Sequence, residues 1–295
     1  MQIITRDQIV YRLDKADPPV LEIDSGETVR IETYDARSGT IQSNTDLLDH
    51  AHPDGANPAT GPLAIRDAEP GDSLIVELQK IDLAPAGFLA VKQGVGLLAE
   101  QADQYATRIV PIENNTVCFN QHIQFPVRPM VGVIGTAPAG DGMGTAYPGP
   151  HGGNMDNRYV KPGAKIHLPV FVPGALLGMG DVHASMGDGE ITMIGLEICA
   201  EVTVRISLQK GVSISRPWIE TADAWVTTGD DMDPAQALRI AAEEMVCFLQ
   251  RQFDLTFEDA YMLMSARADV QVCQICDPGN FPVTARVVFP RLATG

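Results

Sequence analysis

Lys161-Pro-Gly-Ala-Lys-Ile-His-Leu-Pro-Val-Phe-Val-Pro-Gly174 is a short apolar run closed at both ends by a Pro-Gly turn. Proline presets φ at the first corner of such a turn, and glycine supplies the positive φ that the second corner needs. The run between the turns, residues 165–172, is too short for a helix and rich in β-branched residues, so it reads as a strand. Asp24-Ser-Gly26 and Glu69-Pro-Gly-Asp72 punctuate the chain in the same way. Alternating or β-branched runs at 20–23, 28–33, 73–81, 116–119 and 190–206 read as further strands. Many short strands with turns at this spacing predict a mainly β protein, a sandwich or jelly-roll-like β body over residues 1–210. Pro70-Gly-Asp72 and Pro162-Gly-Ala164 each precede a strand, a hint of two related β halves.

Two stretches depart from this pattern. Residues 132–159 carry eight glycines and the prolines Pro138, Pro148 and Pro150. The stretch reads as too glycine-rich for regular structure and too apolar for a free linker, hence an ordered loop forming a wall of the active site. Residues 211–295 change class to an α+β portion with two helices. Asp233 is an N-cap candidate with Pro234 at the first helical position. Leu238, Ala241, Ala242, Met245, Leu249 and Phe253 then recur at helical spacing, which predicts a helix from Pro234 to about Gln252. Thr256-Phe-Glu-Asp259 is close to a capping box and opens a second helix to about Ala266. Strands at 270–275 and 284–289 follow. No linker separates this portion from the β body, so the two read as one continuous domain.

With 21 basic and 38 acidic residues in 295, the chain has a net charge of -17. That field repels nucleic acid and anionic membrane, so neither is an expected partner, while a neutral small molecule meets no obstacle. The five cysteines are scattered and odd in number, as in a reducing compartment. Cys273-Gln-Ile-Cys276 lacks both the helix start of a redox motif and the second pair of a zinc site. No apolar run approaches the roughly 20 residues of a membrane helix, and the N-terminus has no signal-peptide pattern. The expectation is a cytoplasmic protein.

Chemistry concentrates in Gly180-Asp-Val-His-Ala-Ser-Met-Gly-Asp-Gly-Glu190. Side chains two apart on a strand share a face, so Asp181 pairs with His183 and Asp188 with Glu190. If residues 184–187 turn a hairpin, the two pairs face each other. Like charges that close need a cation or a shared proton. The alternative is a solvated acidic hairpin tip. Gly149-Pro-His-Gly-Gly-Asn-Met-Asp156 adds Asn154 and Asp156 on one face, with Gly152 and Gly153 offering backbone N–H groups to an oxyanion. Asp35, at the end of a strand, is either a ligand or a cap. Glu197, a carboxylate inside an apolar strand, is either outward-facing or a functional buried acid. Among the histidines, His183 has the best company and His151 is second. His50 and His52 read as surface, His122 and His167 as structural. No G-x-S-x-G elbow is present, and no cysteine lies in a Lys- and Glu-supported motif, so a hydrolase built from this set must activate water.

Gly152-Gly-Asn-Met-Asp156, Val170-Phe-Val-Pro-Gly-Ala175 and Gly180–Glu190 occur together and in order. Asn57-Pro-Ala-Thr-Gly-Pro62, Pro70-Gly-Asp72 and Asp269-Val-Gln-Val-Cys-Gln274 accompany them. This set resembles the acetamidase/formamidase family over nearly the whole chain. The resemblance implies hydrolysis of a small carboxamide to carboxylate and ammonia, with cyclic amides such as γ-lactams within the family's range, and a homo-oligomer of two or more chains. Asp35, Asn154, Asp156, Asp181, His183, Asp188, Glu190 and Glu197 fall on its motifs. By spacing and ligand type, Asp181 and His183, with Asp35 or Asp156, are expected to bind a divalent metal, zinc by preference. Glu190 or Asp188 is the expected general base, Asn154 or the glycine N–H groups the oxyanion donors, and His151, Gly152, Gly153 and Glu197 the substrate contacts. A rival reading is a cupin-like small-molecule binding protein, although Asp181 stands where a cupin half-motif has histidine.

Overall fold

The computed structural model describes residues 1–48 and 55–292; the surface expectation for His50 and His52 falls outside them. The chain is mainly β, with both helices in the C-terminal portion. Among the described residues the largest sheet has nine strands, in the order Gln2–Ile4, Thr28–Thr33, Ala200–Gln209, Ser73–Leu83, Lys165–Pro169, Trp218–Glu220, Ala224–Asp231, Val283–Pro290 and Asp269–Gln274. Alternation builds its inner face. In Thr28–Thr33 the buried residues are Val29, Ile31 and Thr33, with the intervening ones half-exposed. The strands after the two Pro-Gly turns, Ser73–Leu83 and Lys165–Pro169, are direct antiparallel neighbours, with Ile166 opposite Val76.

A second sheet packs on the first. Its central strand, Leu177–His183, lies between Met130–Gly135 and Ala59–Ile65. Val29, Leu74, Val76, Val202 and Val204 from the first sheet and Leu63, Ile65, Val131, Ile134 and Met179 from the second form one apolar core. Two sheets sharing a core in this way make a sandwich. The first sheet runs on into the C-terminal portion, where α1 (Pro234–Phe253) and α2 (Phe257–Arg267) cover its far end. Asp233 and Thr256 cap these helices as the sequence implied, each side chain accepting a backbone N–H. Trp225, Val283, Ala285, Val287 and Phe289 of the sheet meet Ala241, Met245 and Leu249 of α1 in a second core.

Three expectations are corrected. Residues 132–159 are not wholly irregular: Met130–Gly135, Met143–Gly144, Pro148–Gly149 and Gly152–Asn154 are strands. Their glycines permit close approach between neighbouring backbones, since a Cβ on Gly152 would stand 2.3 Å from the Ile134 carbonyl oxygen. The run at 190–206 becomes a strand only at Ala200–Gln209; before it the chain makes isolated bridges from Glu197 to Phe88 and His183. The run at 165–172 ends as a strand at Pro169. Ala59–Ile65 and the first half of Leu177–His183 give no strand signal in the sequence, because every residue of each is buried and no alternation is left to read.

Candidate active site

The strand Leu177–His183 builds the centre of the site. Leu177 and Met179 enter the core before Asp181, whereas Val182 and Ala184 do so after it. The switch in parity occurs at Asp181, whose φ is 56°. Past that point Asp181 and His183 project away from the core and toward each other, with Asp181 Oδ1 3.4 Å from His183 Nε2. Asp156 and Glu190 also adopt left-handed backbone, with φ of 43° and 44°. Positive φ is uncommon outside glycine and costs on the order of 1–3 kcal/mol in such sites, so three acids held this way on one cluster mark a functional centre. Gly132 makes room for it: a Cβ there would stand 2.5 Å from Asp156 Oδ1 and 2.8 Å from Asp181 Oδ2.

His183 Nε2 faces three carboxylates. Glu197 Oε1 lies 3.0 Å away, Asp181 Oδ1 3.4 Å and Glu190 Oε1 3.8 Å. The ring packs over Gly195, where a Cβ would come within 2.6 Å of it. Two ligand sets share this imidazole: Asp156, His183 and Glu190, and Asp181, His183 and Glu197, with each set's ligand atoms within 4.8 Å of one another. Two neutral side chains tie the acids down. Gln274 Nε2 donates to Asp156 Oδ2 at 2.8 Å and to Glu190 Oε2 at 3.1 Å. Asn57 Nδ2 donates to Asp181 Oδ2 at 2.9 Å and Asn154 Oδ1 at 3.3 Å.

Four carboxylates and one imidazole, all buried, do not share a dry site without compensation. At 4.8 Å two like unit charges repel by roughly 3–4 kcal/mol even at an effective dielectric of 20. The protein's own response is to hold protons. Burial, then Glu190 beside it, pushes Asp156 well above the ordinary carboxylate range. Burial raises Glu190 against the opposing His183, and burial pushes Glu197 up to about 8. Burial alone lowers His183, but Glu197 and Asp181 override it and hold the imidazole well above its usual value. Asp156 Oδ1, Asp181 Oδ1 and Glu197 Oε2 are buried without a hydrogen-bond partner among the described residues. A divalent cation satisfies these oxygens and the charge together, so the donor set fits one.

Asp181, His183, Glu190, Glu197, Asp156 and Asn154 therefore come together, and the other sequence-based candidates lie apart. Asp188 does not face Glu190. Gly189 and Glu190 have φ of 100° and 44°, so the backbone is not extended and side chains two apart no longer share a face. No hairpin forms at 184–187. Asp188 pairs instead with Arg158, at 2.9 Å, and with the buried Arg286. Asp35 accepts the N–H groups of Arg37 and Gly39 at 2.9 and 3.0 Å and the Cys199 thiol at 3.6 Å; it belongs to neither ligand set. His151 is buried between Gly149 and Gly153, held down to about 4 by burial and by Arg216. Gly152 and Gly153 serve the close strand contact described above.

A cavity of about 60 Å³ opens onto the cluster, lined among others by Arg37, Asn57, Asn154, Met193, Ile194 and Phe281. Asn57, Gln274 and Arg37 were not singled out from the sequence. Asn57 opens the Asn57-Pro-Ala-Thr-Gly-Pro62 stretch and has a φ of 57°. Cys276 also lines the cavity; burial pushes its thiol up to about 12, so it is no thiolate nucleophile.

The model of the acetamidase/formamidase family matches residues 4–141 and 139–290. An acetamidase from Bacillus halodurans superposes with a TM-score of 0.94 at 36% identity, over 98% of this chain and 97% of that one. A recombinant predicted acetamidase/formamidase from Thermoanaerobacter tengcongensis gives 0.94 and 36%, over 98% and 95%. A Schizosaccharomyces pombe protein named for formamidase activity is 31% identical over 263 residues, covering 67% of this chain and 63% of that protein. This chain spans 62–68% of the length of the curated relatives it matches.

Proposed function

This chain belongs to the acetamidase/formamidase family, and we propose on that premise that it hydrolyses a small linear carboxamide to carboxylate and ammonia with activated water. The observation that carries the reading is the convergence of Asp181, Glu190 and Glu197 on His183 Nε2 at the floor of a small cavity. Asp181, His183 and Glu197 would hold a divalent cation, and a nitrogen with two carboxylates suits zinc. Such an ion supplies Lewis-acid chemistry that makes water a nucleophile at neutral pH. Glu190 takes the water proton. Gln274 fixes its Oε2 at 3.1 Å, which leaves Oε1 toward the reacting water. The same carboxyl then returns the proton to the leaving nitrogen. Asn154, whose Oδ1 is engaged by Asn57, presents its amide N–H to the substrate carbonyl.

The cavity sets substrate size. Each water-sized occupant needs on the order of 10–15 Å³, so about 60 Å³ takes an amide of a few heavy atoms. Five free cysteines support a reducing, cytoplasmic setting, and among the described residues no helix is long and apolar enough to cross a membrane. Phe257 and Tyr261, one turn apart on α2, are 54% and 55% exposed, which supports the expected homo-oligomer. No observation favours the cupin-like alternative. Glu190→Gln is expected to lower ammonia release from formamide and acetamide by at least about 10³-fold with an unchanged circular dichroism spectrum. Wild-type turnover in that variant removes Glu190 from the mechanism.

A further inference from the structure

Arg37 is the one cationic side chain lining the active-site cavity among the described residues. Its Nε is shielded from solvent and has no hydrogen-bond partner there, and no described carboxylate pairs with its guanidinium. A buried donor left without a partner is unfavourable, and a ligand oxygen would satisfy it. The loop bearing it is fixed from two sides. Asp35 Oδ1 accepts the Arg37 and Gly39 N–H groups at 2.9 and 3.0 Å, and Thr40 Oγ1 donates to the Arg37 carbonyl at 2.7 Å. The Asn57 N–H donates to the Ala36 carbonyl at 3.1 Å, while Asn57 Nδ2 donates to Asp181 Oδ2 at 2.9 Å. The loop that bears Arg37 is thereby tied to the acidic cluster through Ala36 and Asn57.

We infer that Arg37 is a catalytic residue that takes the acyl oxygen together with the Asn154 amide, and that Asp35 is the positioning residue that seats it. This rests on the amidase reading. Water loses a proton to Glu190 and forms the new C–O bond, and the C=O π pair moves onto the oxygen beside Arg37. The pair returns as the C–N bond breaks and Glu190 gives its proton to the nitrogen. Ammonia leaves, the carboxylic acid loses its remaining proton, and one carboxylate oxygen stays on the guanidinium. The two products thus part toward walls of opposite charge: carboxylate to Arg37, ammonium to the acids. A donor aimed at the developing oxyanion is worth about 10²–10³ in kcat.

The test combines acetate titration by calorimetry, metal analysis and ammonia release. Arg37→Gln is expected to keep wild-type metal content, to bind acetate at least about tenfold more weakly, and to lose about 10²–10³ in kcat on acetamide. Arg37→Lys retains the charge and is expected to recover part of the acetate affinity. Asp35→Ala is expected to weaken acetate without loss of metal. Wild-type acetate affinity in Arg37→Gln overturns the inference whether or not the wild type releases ammonia, and metal loss in Asp35→Ala overturns the role given to Asp35. A wild type that releases no ammonia, yet loses acetate on Arg37→Gln, defeats the amidase reading and keeps the anion anchor.

Discussion

Asp188 and Glu190 carry the same charge two residues apart, and the backbone between them decides that they act differently. Glu190 is buried against His183 and Gln274, whereas Asp188 is 29% exposed at its side chain and neutralises Arg158 and Arg286. Arg286 is fully buried, and removing its acid leaves a cation short of its partner. Asp188→Asn is therefore expected to lower unfolding stability by about 1–3 kcal/mol in urea titration, with a smaller effect on turnover than Glu190→Gln. A full loss of activity at unchanged stability contradicts this division. The residue types were legible in the sequence, and so was the Asp181–His183 pair. The partners of Asp188 were not, because the left-handed φ at Glu190 breaks the period of two on which the spacing argument rests. Gln274 and Asn57 were invisible as site residues for another reason: each acts only through acids more than 80 positions away.

Strand Leu177–His183 and its neighbour Met130–Gly135 carry the site, and their glycines are the space the carboxylates occupy. Gly132→Ala would place a Cβ 2.5 Å from Asp156 Oδ1 and 2.9 Å from the Asp181 carbonyl oxygen. Overpacking of this kind costs about 1–3 kcal/mol. Because the displaced atoms are site atoms, turnover and metal content are expected to fall further than stability does. Metal content equal to wild type in a folded Gly132→Ala would show that these acids are not ligands. At this scale the sequence was most informative where an element has an exposed face. The caps and the 3.6-residue period gave α1 and α2 nearly to their ends, and Thr28–Thr33 was read from its alternation. Leu177–His183, buried throughout, offered no such contrast.

Across the whole molecule, two buried histidines oppose folding in acid. His151 is held down to about 4 by burial and Arg216. His167, stacked on Trp218 at 3.6 Å, is held down to about 4 by burial. A histidine whose folded pKa lies below its unfolded 6.5 binds its proton first in the unfolded chain. The stability each histidine contributes is thus full above pH 6.5 and declines as pH falls toward 4, by on the order of 3 kcal/mol for a shift of this size, while Glu197, raised to about 8, works in the opposite sense and favours the folded chain as pH falls below 8. His167→Phe, which keeps a ring on Trp218, is expected to flatten that decline in urea midpoints taken from pH 7 to 4; an unchanged slope excludes His167 as a cause. The sandwich and its helical end were legible from turns and periods, while the burial of four acids and a histidine at one point was not, since it depends on how two sheets close over each other. The proposed chemistry needs that cluster to hold a divalent cation. The most direct measurement is the rate of ammonia release from acetamide before and after the protein is stripped with a chelator and then supplied with zinc. A fall of at least about 10²-fold that zinc reverses is expected; an undiminished rate in protein shown to contain no metal would contradict a role for the cation.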